Sequence, residues 1–239
     1  MTLMRFKGIR GGVGTSSLLV GLAYELNRLD QRVLMVDFCP ENQLRLHLGL
    51  PFNEQSGWAQ AWRMETDWCS QAWELLPGLC LLPYGRLEQD EWERLEHWLR
   101  RHPDEWRRRL AGLSEDFDWI LIDAPLRLPG HAGCFRPQLD IQVLCADAAC
   151  HALLQHQDGD VKLLVNGHDA GSRLQQDLLL LWRRQYQGRM LPLSVCQDEA
   201  VAEALAHKRP VGAYAPDSAA ADVLRSLAVW CLGRREATC

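Results

Sequence analysis

Gly8-Ile9-Arg10-Gly11-Gly12-Val13-Gly14-Thr15-Ser16-Ser17 is the stretch on which the reading of the fold turns. It follows an apolar run, Leu3 to Ile9, and precedes a segment with apolar residues at Leu18, Leu19, Leu22, Ala23 and Leu26. The run has the character of a strand, and the spacing predicts a helix over Ser16 to Leu29. Gly11, Gly12 and Gly14 admit backbone conformations that a residue with a Cβ avoids. A loop built this way, between a strand and a helix, can turn its N–H groups toward an anion at the helix N-terminus. Ser16 and Ser17 fall in the first turn, where a hydroxyl either binds Mg2+ or caps the helix. The strict phosphate-loop pattern G-x-x-x-x-G-K-[ST] is departed from twice, because Ile9 stands at its first glycine and Thr15 at its lysine. The alternative is a glycine-rich turn that only lets the strand pack on the helix.

Outward from this loop, short apolar runs recur at Arg32 to Asp37, Leu79 to Tyr84, Trp119 to Asp123, Ile141 to Ala146 and Val161 to Asn166. Such runs suit strands buried on both faces, as in a parallel sheet covered by helices. Helical patterns fall between or after them, near 88–112, 171–187, 198–207 and 218–233. The alternation predicts an α/β fold, a mostly parallel doubly wound sheet flanked by helices, in one domain over 1–239. At 239 residues the chain is long enough to bury a sizeable core. Its 26 basic and 31 acidic side chains leave a net charge of −5, which argues against nucleic acid as the main partner. No apolar run is long enough to span a bilayer, and the N-terminus lacks a secretory leader, so a cytoplasmic protein is expected. The nine cysteines show no C-x-x-C and no zinc-like spacing, and are expected to be reduced thiols.

Arg10 to Ser17, R-G-G-V-G-T-S-S, resembles the deviant phosphate loop K-G-G-x-G-K-[ST]-[ST] of the MinD/ParA ATPases, a branch of the SIMIBI class of P-loop NTPases. With Arg and Thr at the two lysine positions, it is most similar to the BcsQ family of bacterial cellulose-secretion operons. The resemblance extends to Val36-Asp37-Phe38-Cys39-Pro40, Gln55 to Ala59, Leu121-Ile122-Asp123, and Asp198-Glu199-Ala200 through Pro210 to Tyr214.

The resemblance implies ATP and Mg2+ as cofactors and a homodimer closed through nucleotide. It implies that Gly11, Gly12, Val13, Gly14, Thr15, Ser16 and Ser17 hold the phosphates, and that Arg10 reaches the nucleotide of the other subunit. Ser16, Asp37 and Asp123 would serve the metal and its waters, with Asp37 the catalytic carboxylate. Asn166 would read the adenine edge, and the loop from Val195 to Asp198, with Cys196 in place of the family's proline, would meet the base through its backbone. Asp198 also reads as the N-cap of an Ala-rich helix, Asn166 as a turn residue, and Asp123 as a loop cap. Thr15 replaces the lysine that holds the β- and γ-phosphates, and Cys39 replaces the Asp that positions the attacking water. Phosphoryl transfer depends on such groups, so hydrolysis is expected to be very slow. The implied partners are a small BcsR-like protein, a BcsE-like regulator and the inner-membrane cellulose synthase, which would place the chain at the inner membrane through that complex, at a cell pole. The competing expectations are a working ParA/MinD-type positioning ATPase and a nucleotide-free scaffold.

Ten tryptophans are many for this length. Trp92, Trp98 and Trp106 alternate with Arg94, Arg100, Arg101 and Arg107 to Arg109, but seven acidic residues between Glu88 and Glu105 dilute the charge. This pattern reads as a solvated or partner-facing amphipathic helix rather than a DNA surface. The last residues, Gly233 to Cys239, are too short and polar for a MinD-type membrane helix.

Overall fold

The computed structural model describes residues 1–51, 53–127, 129–157 and 159–236. The first half of the chain contains β1 (Thr2–Gly8), α1 (Thr15–Arg28), β2 (Val33–Asp37), α2 (Trp58–Met64), β3 (Trp73–Leu76), β4 (Leu79–Leu82), α3 (Gln89–Arg101), α4 (Glu105–Ala111) and β5 (Trp119–Asp123). The second half contains α5 (Pro129–Gly133), β6 (Leu139–Cys145), α6 (Ala148–Leu154), β7 (Lys162–His168), α7 (Arg173–Gln185), β8 (Met190–Cys196), α8 (Glu199–Ala206), α9 (Val211–Tyr214) and α10 (Ala219–Glu236). Cys239, the last of the nine cysteines, lies outside the described residues.

These strands form one sheet in the order β3-β4-β2-β5-β1-β6-β7-β8. Every neighbouring pair is parallel except β3 and β4. The central strands β2 and β5 are buried at every position, which is why they read as unbroken apolar runs. The chain builds outward from β1 to one edge, returns through β5, and then builds to the other edge. Ligands in open α/β sheets bind at the carboxyl ends of strands beside such a reversal. The phosphate-loop candidate, Asp37 and Asp123 all lie there, because β2 and β5 pair with Asp37 opposite Asp123 and β5 pairs with β1 on its other side.

The two sides of the core differ in chemistry. One is largely aliphatic and joins α1 and α10 to the sheet through Leu18, Leu22, Leu224 and Leu227. The other is aromatic: Phe38, Trp58, Tyr84, Trp106 and Phe135 pack together, with Phe38 4.8 Å from both Trp58 and Trp106. Such tilted and edge-on pairs add to the stabilisation from burial alone.

The helical pattern near 88–112 is divided in the structure. Pro103 lacks an N–H and disfavours helical geometry in the residue before it, and His102 leaves the helix at φ −124°, ψ 59°. The strands at the two edges have weak signals. In β3 half-buried and exposed positions alternate, and β8 carries Pro192, which an edge strand tolerates.

Gly57 shows how tightly the aromatic side is closed. A Cβ there would lie 2.2 Å from the Gly85 nitrogen and 2.4 Å from the Tyr84 carbonyl carbon, both backbone atoms that cannot step aside. Gly57→Ala is expected to destabilise the fold by about 2–3 kcal/mol, the usual scale of core overpacking. An unchanged urea midpoint would contradict this packing.

Candidate functional site

The loop from Gly8 to Gly14 takes its shape from two left-handed residues, Gly12 at φ 75° and Gly14 at φ 83°. Gly14 occupies the N-cap position of α1 without a capping side chain, and the first turn of α1 holds no acidic residue. The N-terminus of α1 therefore keeps its orphan N–H groups and positive dipole end for an anion. Thr15 folds back toward β1, its Oγ1 2.9 Å from where a Cβ on Gly8 would stand. Asn166, at the end of β7, donates from Nδ2 to the Val13 carbonyl at 2.8 Å and closes against Gly14, where a Cβ would meet Nδ2 at 2.3 Å. The Asn166 amide therefore braces the loop from β7, two strands away from β1 in the sheet.

Arg10 lies over the same loop. Its Nη1 donates to the Gly11 carbonyl at 2.9 Å, and its Nη2 pairs with Asp147 at 2.7 Å. Asp147 is also the N-cap of α6, accepting from Cys150 N at 2.7 Å. The Nε of Arg10 is buried without an acceptor among the described residues.

Asp37 and Asp123 are the most constrained groups. Asp37 is fully buried, and its two oxygens accept from the N–H of Cys39 at 2.9 Å and of Leu44 at 3.1 Å. Asp123 is 3% exposed and accepts from the Ser16 hydroxyl at 2.6 Å. Burial pushes both carboxyls above their ordinary range. The Asp123 charge adds to the effect on Asp37, while the Ser16 bond opposes it at Asp123. Among the described residues no cation figures in the groups acting on either carboxylate. Two adjacent buried carboxylates without a countercharge are costly, and a divalent cation relieves that cost. Ligand atoms of Asp37, Cys39 and Asp123 lie within 4.8 Å of one another, and Ser16 adds a hydroxyl beside Asp123. This oxygen-rich set fits Mg2+. Burial pushes the Cys39 thiol up, so it stays protonated and is a poor base.

A cavity of about 830 Å³ joins these parts. The loop from Arg10 to Ser17 forms one wall, Asp37, Cys39, Glu41 and His47 a second, and Asp123 to Arg127 with Trp92 a third. Two buried donors in its lining, Arg10 Nε and Trp92 Nε1, have no acceptor among the described residues, which suits an anionic occupant. Asn166, Cys196 and Asp198 are not part of this lining. Cys196 ends β8 in register with His168, and Asp198 caps α8 through Ala200 N at 3.0 Å and holds α10 through Ala220 N at 2.9 Å. Trp92, Glu41, His47 and Arg127 line the cavity without belonging to any local motif.

A model of the family described as cellulose biosynthesis protein BcsQ matches residues 1–232. The cellulose biosynthesis protein BcsQ of Escherichia coli (strain K12) is 38% identical over 246 residues, covering 97% of this chain and 94% of that protein. Among solved structures, the septum site-determining protein MinD of Pyrococcus horikoshii, complexed with Mg-ADP, superposes with a TM-score of 0.72 at 18% identity, covering 95% of this chain and 94% of that one. Cobyrinic acid a,c-diamide synthase of Mycobacterium smegmatis, with bound ATP analogue and magnesium, gives 0.70 at 20% identity over 97% and 94%. These likenesses establish the P-loop fold of MinD/ParA ATPases for this chain.

His47 provides a pH test of the cavity wall. It is 8% exposed, and burial lowers its pKa from 6.5 to about 4. Below pH 6.5 the unfolded chain binds a proton there that the folded chain refuses, so stability falls as pH drops from 6.5 to about 4. The loss from this group amounts to about 3 kcal/mol at full extent. His47→Gln is expected to flatten the dependence of urea midpoint on pH across that window. Superimposable profiles for the two proteins would contradict the burial of His47 in its neutral form.

Proposed function

Because this chain belongs to the BcsQ family of cellulose biosynthesis proteins, we propose that it is an ATP-binding subunit, clamped into a dimer by nucleotide, that assembles, localises or regulates the cellulose synthase secretion complex. One observation carries the reading. Two buried carboxylates, with no countercharge among the described residues, stand in register beside an uncapped helix N-terminus, and together they ask for a cation and an anion at once. Mg2+ bound to a nucleoside triphosphate supplies both.

In this reading the N–H groups of Gly11 to Gly14 and the start of α1 hold phosphate, with the hydroxyls of Thr15 and Ser17 beside it. Ser16, Asp37 and Asp123 order Mg2+ and its waters. Arg10 leaves Asp147 to meet the nucleotide of the second protomer, which suits a bidentate phosphate ligand. Asn166 sets the loop and offers its carbonyl oxygen toward the base, with the Cys196 to Asp198 backbone alongside. Thr15 supplies no cation to the transferring phosphoryl group, and the protonated Cys39 is a poor acceptor for the attacking water. Each such loss costs on the order of 10²–10³ in rate. ATP then acts as a clamp, and partner binding, to a BcsR-like protein, a BcsE-like regulator and the synthase itself, brings the chain to the inner membrane. Among the described residues no helix is long and apolar enough to cross a membrane.

Protein purified with Mg2+ and then denatured is expected to release intact ATP, with dimer as the main species. Predominantly ADP would overturn the slow-hydrolysis part. An empty protein without a thermal shift on adding Mg-ATP would overturn nucleotide binding, leaving the scaffold that Thr15 favours. The double variant Thr15→Lys, Cys39→Asp is expected to raise ATP turnover on the order of 10²-fold or more. Turnover unchanged from the parent would contradict the roles given to these two positions.

A further inference from the structure

Tyr84, Glu96 and His131 are buried titratable groups that the nucleotide site does not use. Their bonds form a single chain. The Gly130 N–H donates to Glu96 Oε1 at 2.8 Å, and His131 Nδ1 bonds Glu96 Oε2. The Tyr84 hydroxyl bonds His131 Nε2 at 3.0 Å, and the Tyr84 backbone N–H donates to Asn42 Oδ1 at 3.1 Å. With His131 neutral and its proton on Nδ1, an assignment made from its partners, every donor in the chain has an acceptor. Burial lowers the His131 pKa, in agreement with the neutral ring.

The two ends of this chain lie beside two different lining segments of the cavity. Asn42 belongs to the loop after β2, between the lining residues Glu41 and Gln43. Gly130 and His131 follow the segment after β5 whose residues Ala124 to Arg127 line the other wall. The middle of the chain is Glu96 on α3. One turn earlier on the same helix, Trp92 lines the cavity, its indole N–H without a partner among the described residues. A branch ties in the first metal-side carboxylate. Trp58 Nε1 donates to the Asp37 carbonyl at 2.7 Å, and the Trp58 ring lies 4.9 Å from that of Tyr84.

We propose that Tyr84, Glu96 and His131 are positioning residues that yoke the loop after β2 to the loop after β5 through α3, so that the two acidic walls of the cavity move as one. The physical ground is the cost of an incomplete buried network. Withdrawing one end leaves a buried donor, or an oxygen of the Glu96 carboxyl, without its partner inside the chain, so the chain holds as a whole or opens as a whole. Filling the cavity then shifts α3 along with both walls. The effect on nucleotide rests on the function proposed above, but the coupling itself does not.

The test is amide hydrogen exchange of the full chain without nucleotide, read at residues 39–44 and 124–127. Tyr84→Phe removes one hydroxyl and keeps the ring, so it cuts the chain with little risk to folding. It is expected to speed exchange about tenfold in both segments, the scale of one buried bond lost. Glu96→Ala is expected to do the same, and so is Glu96→Gln, because an amide that accepts from Gly130 must donate to His131 Nδ1, which moves the ring proton to Nε2 and leaves the Tyr84 hydroxyl without its acceptor. Faster exchange only in the segment nearest the substitution, or wild-type exchange in both, would overturn the yoke and leave these groups as a satisfied core cluster. With Mg-ATP added, wild type is expected to gain protection in both segments together, and gain in one alone would likewise overturn it. Failure of wild type to bind ATP would count against the proposed function, while the nucleotide-free exchange would still decide the yoke.

Discussion

The pairing of β2 with β5 is the constraint on which the rest depends. Its register puts Asp37 beside Asp123 at the carboxyl edge of the sheet, and β5 in turn pairs with the strand that feeds the glycine loop. A slip of one residue would turn one carboxylate to the other face and break the site. The buried apolar residues of both strands, Val33 to Val36 and Trp119 to Ile122, fix that register from both faces. Core packing and site geometry are therefore the same fact seen from two sides. The sheet is stable because its central strands are apolar, and two carboxylates are held together in spite of their cost because those strands end there.

The site shows a division between holding and reacting. The loop, the uncapped start of α1 and the carboxylate pair are complete, and Asn166 braces the loop from β7. Of the departures from the MinD/ParA loop pattern, Arg10 keeps a positive charge, while Thr15 and Cys39 each remove charge from where phosphoryl transfer needs it. Arg10 adds charge to the loop wall, where its Nη2 is paired with Asp147. That pattern is the ground on which the proposed function expects nucleotide to be held rather than quickly consumed.

Much of the fold and of the site is legible in the sequence, for physical reasons. Strands buried on both faces leave continuous apolar runs, so β2 and β5 announce themselves by composition alone, while β1, with Arg5 and Lys7 half-buried, is marked by the glycine loop that follows it, and α1 follows from its spacing. The edge strands β3 and β8 do not, because an edge needs neither alternation nor burial on both faces. Pro103 carries the break between α3 and α4, a signal that the amphipathic pattern on either side obscures. The glycine loop and the two aspartates are readable as local motifs at strand ends. Trp92, His47 and Arg127 are not, since only tertiary packing brings them to the cavity. The bond from Asn166 to the Val13 carbonyl spans 153 positions of the chain and has no sequence signature. The same is true of the buried chain from Asn42 to Gly130.

Central to the proposed function is that nucleotide, and not its hydrolysis, holds two copies of this chain together. Sedimentation velocity of the purified protein, stripped of nucleotide and then supplied with Mg2+ and ATP, ADP or neither, tests it directly. A ligand that binds only the dimer must shift the monomer–dimer equilibrium by mass action. The expected result is a dimer with ATP that persists for hours without exogenous resupply, and monomer with ADP or no nucleotide. A sedimentation coefficient indifferent to ATP would contradict it.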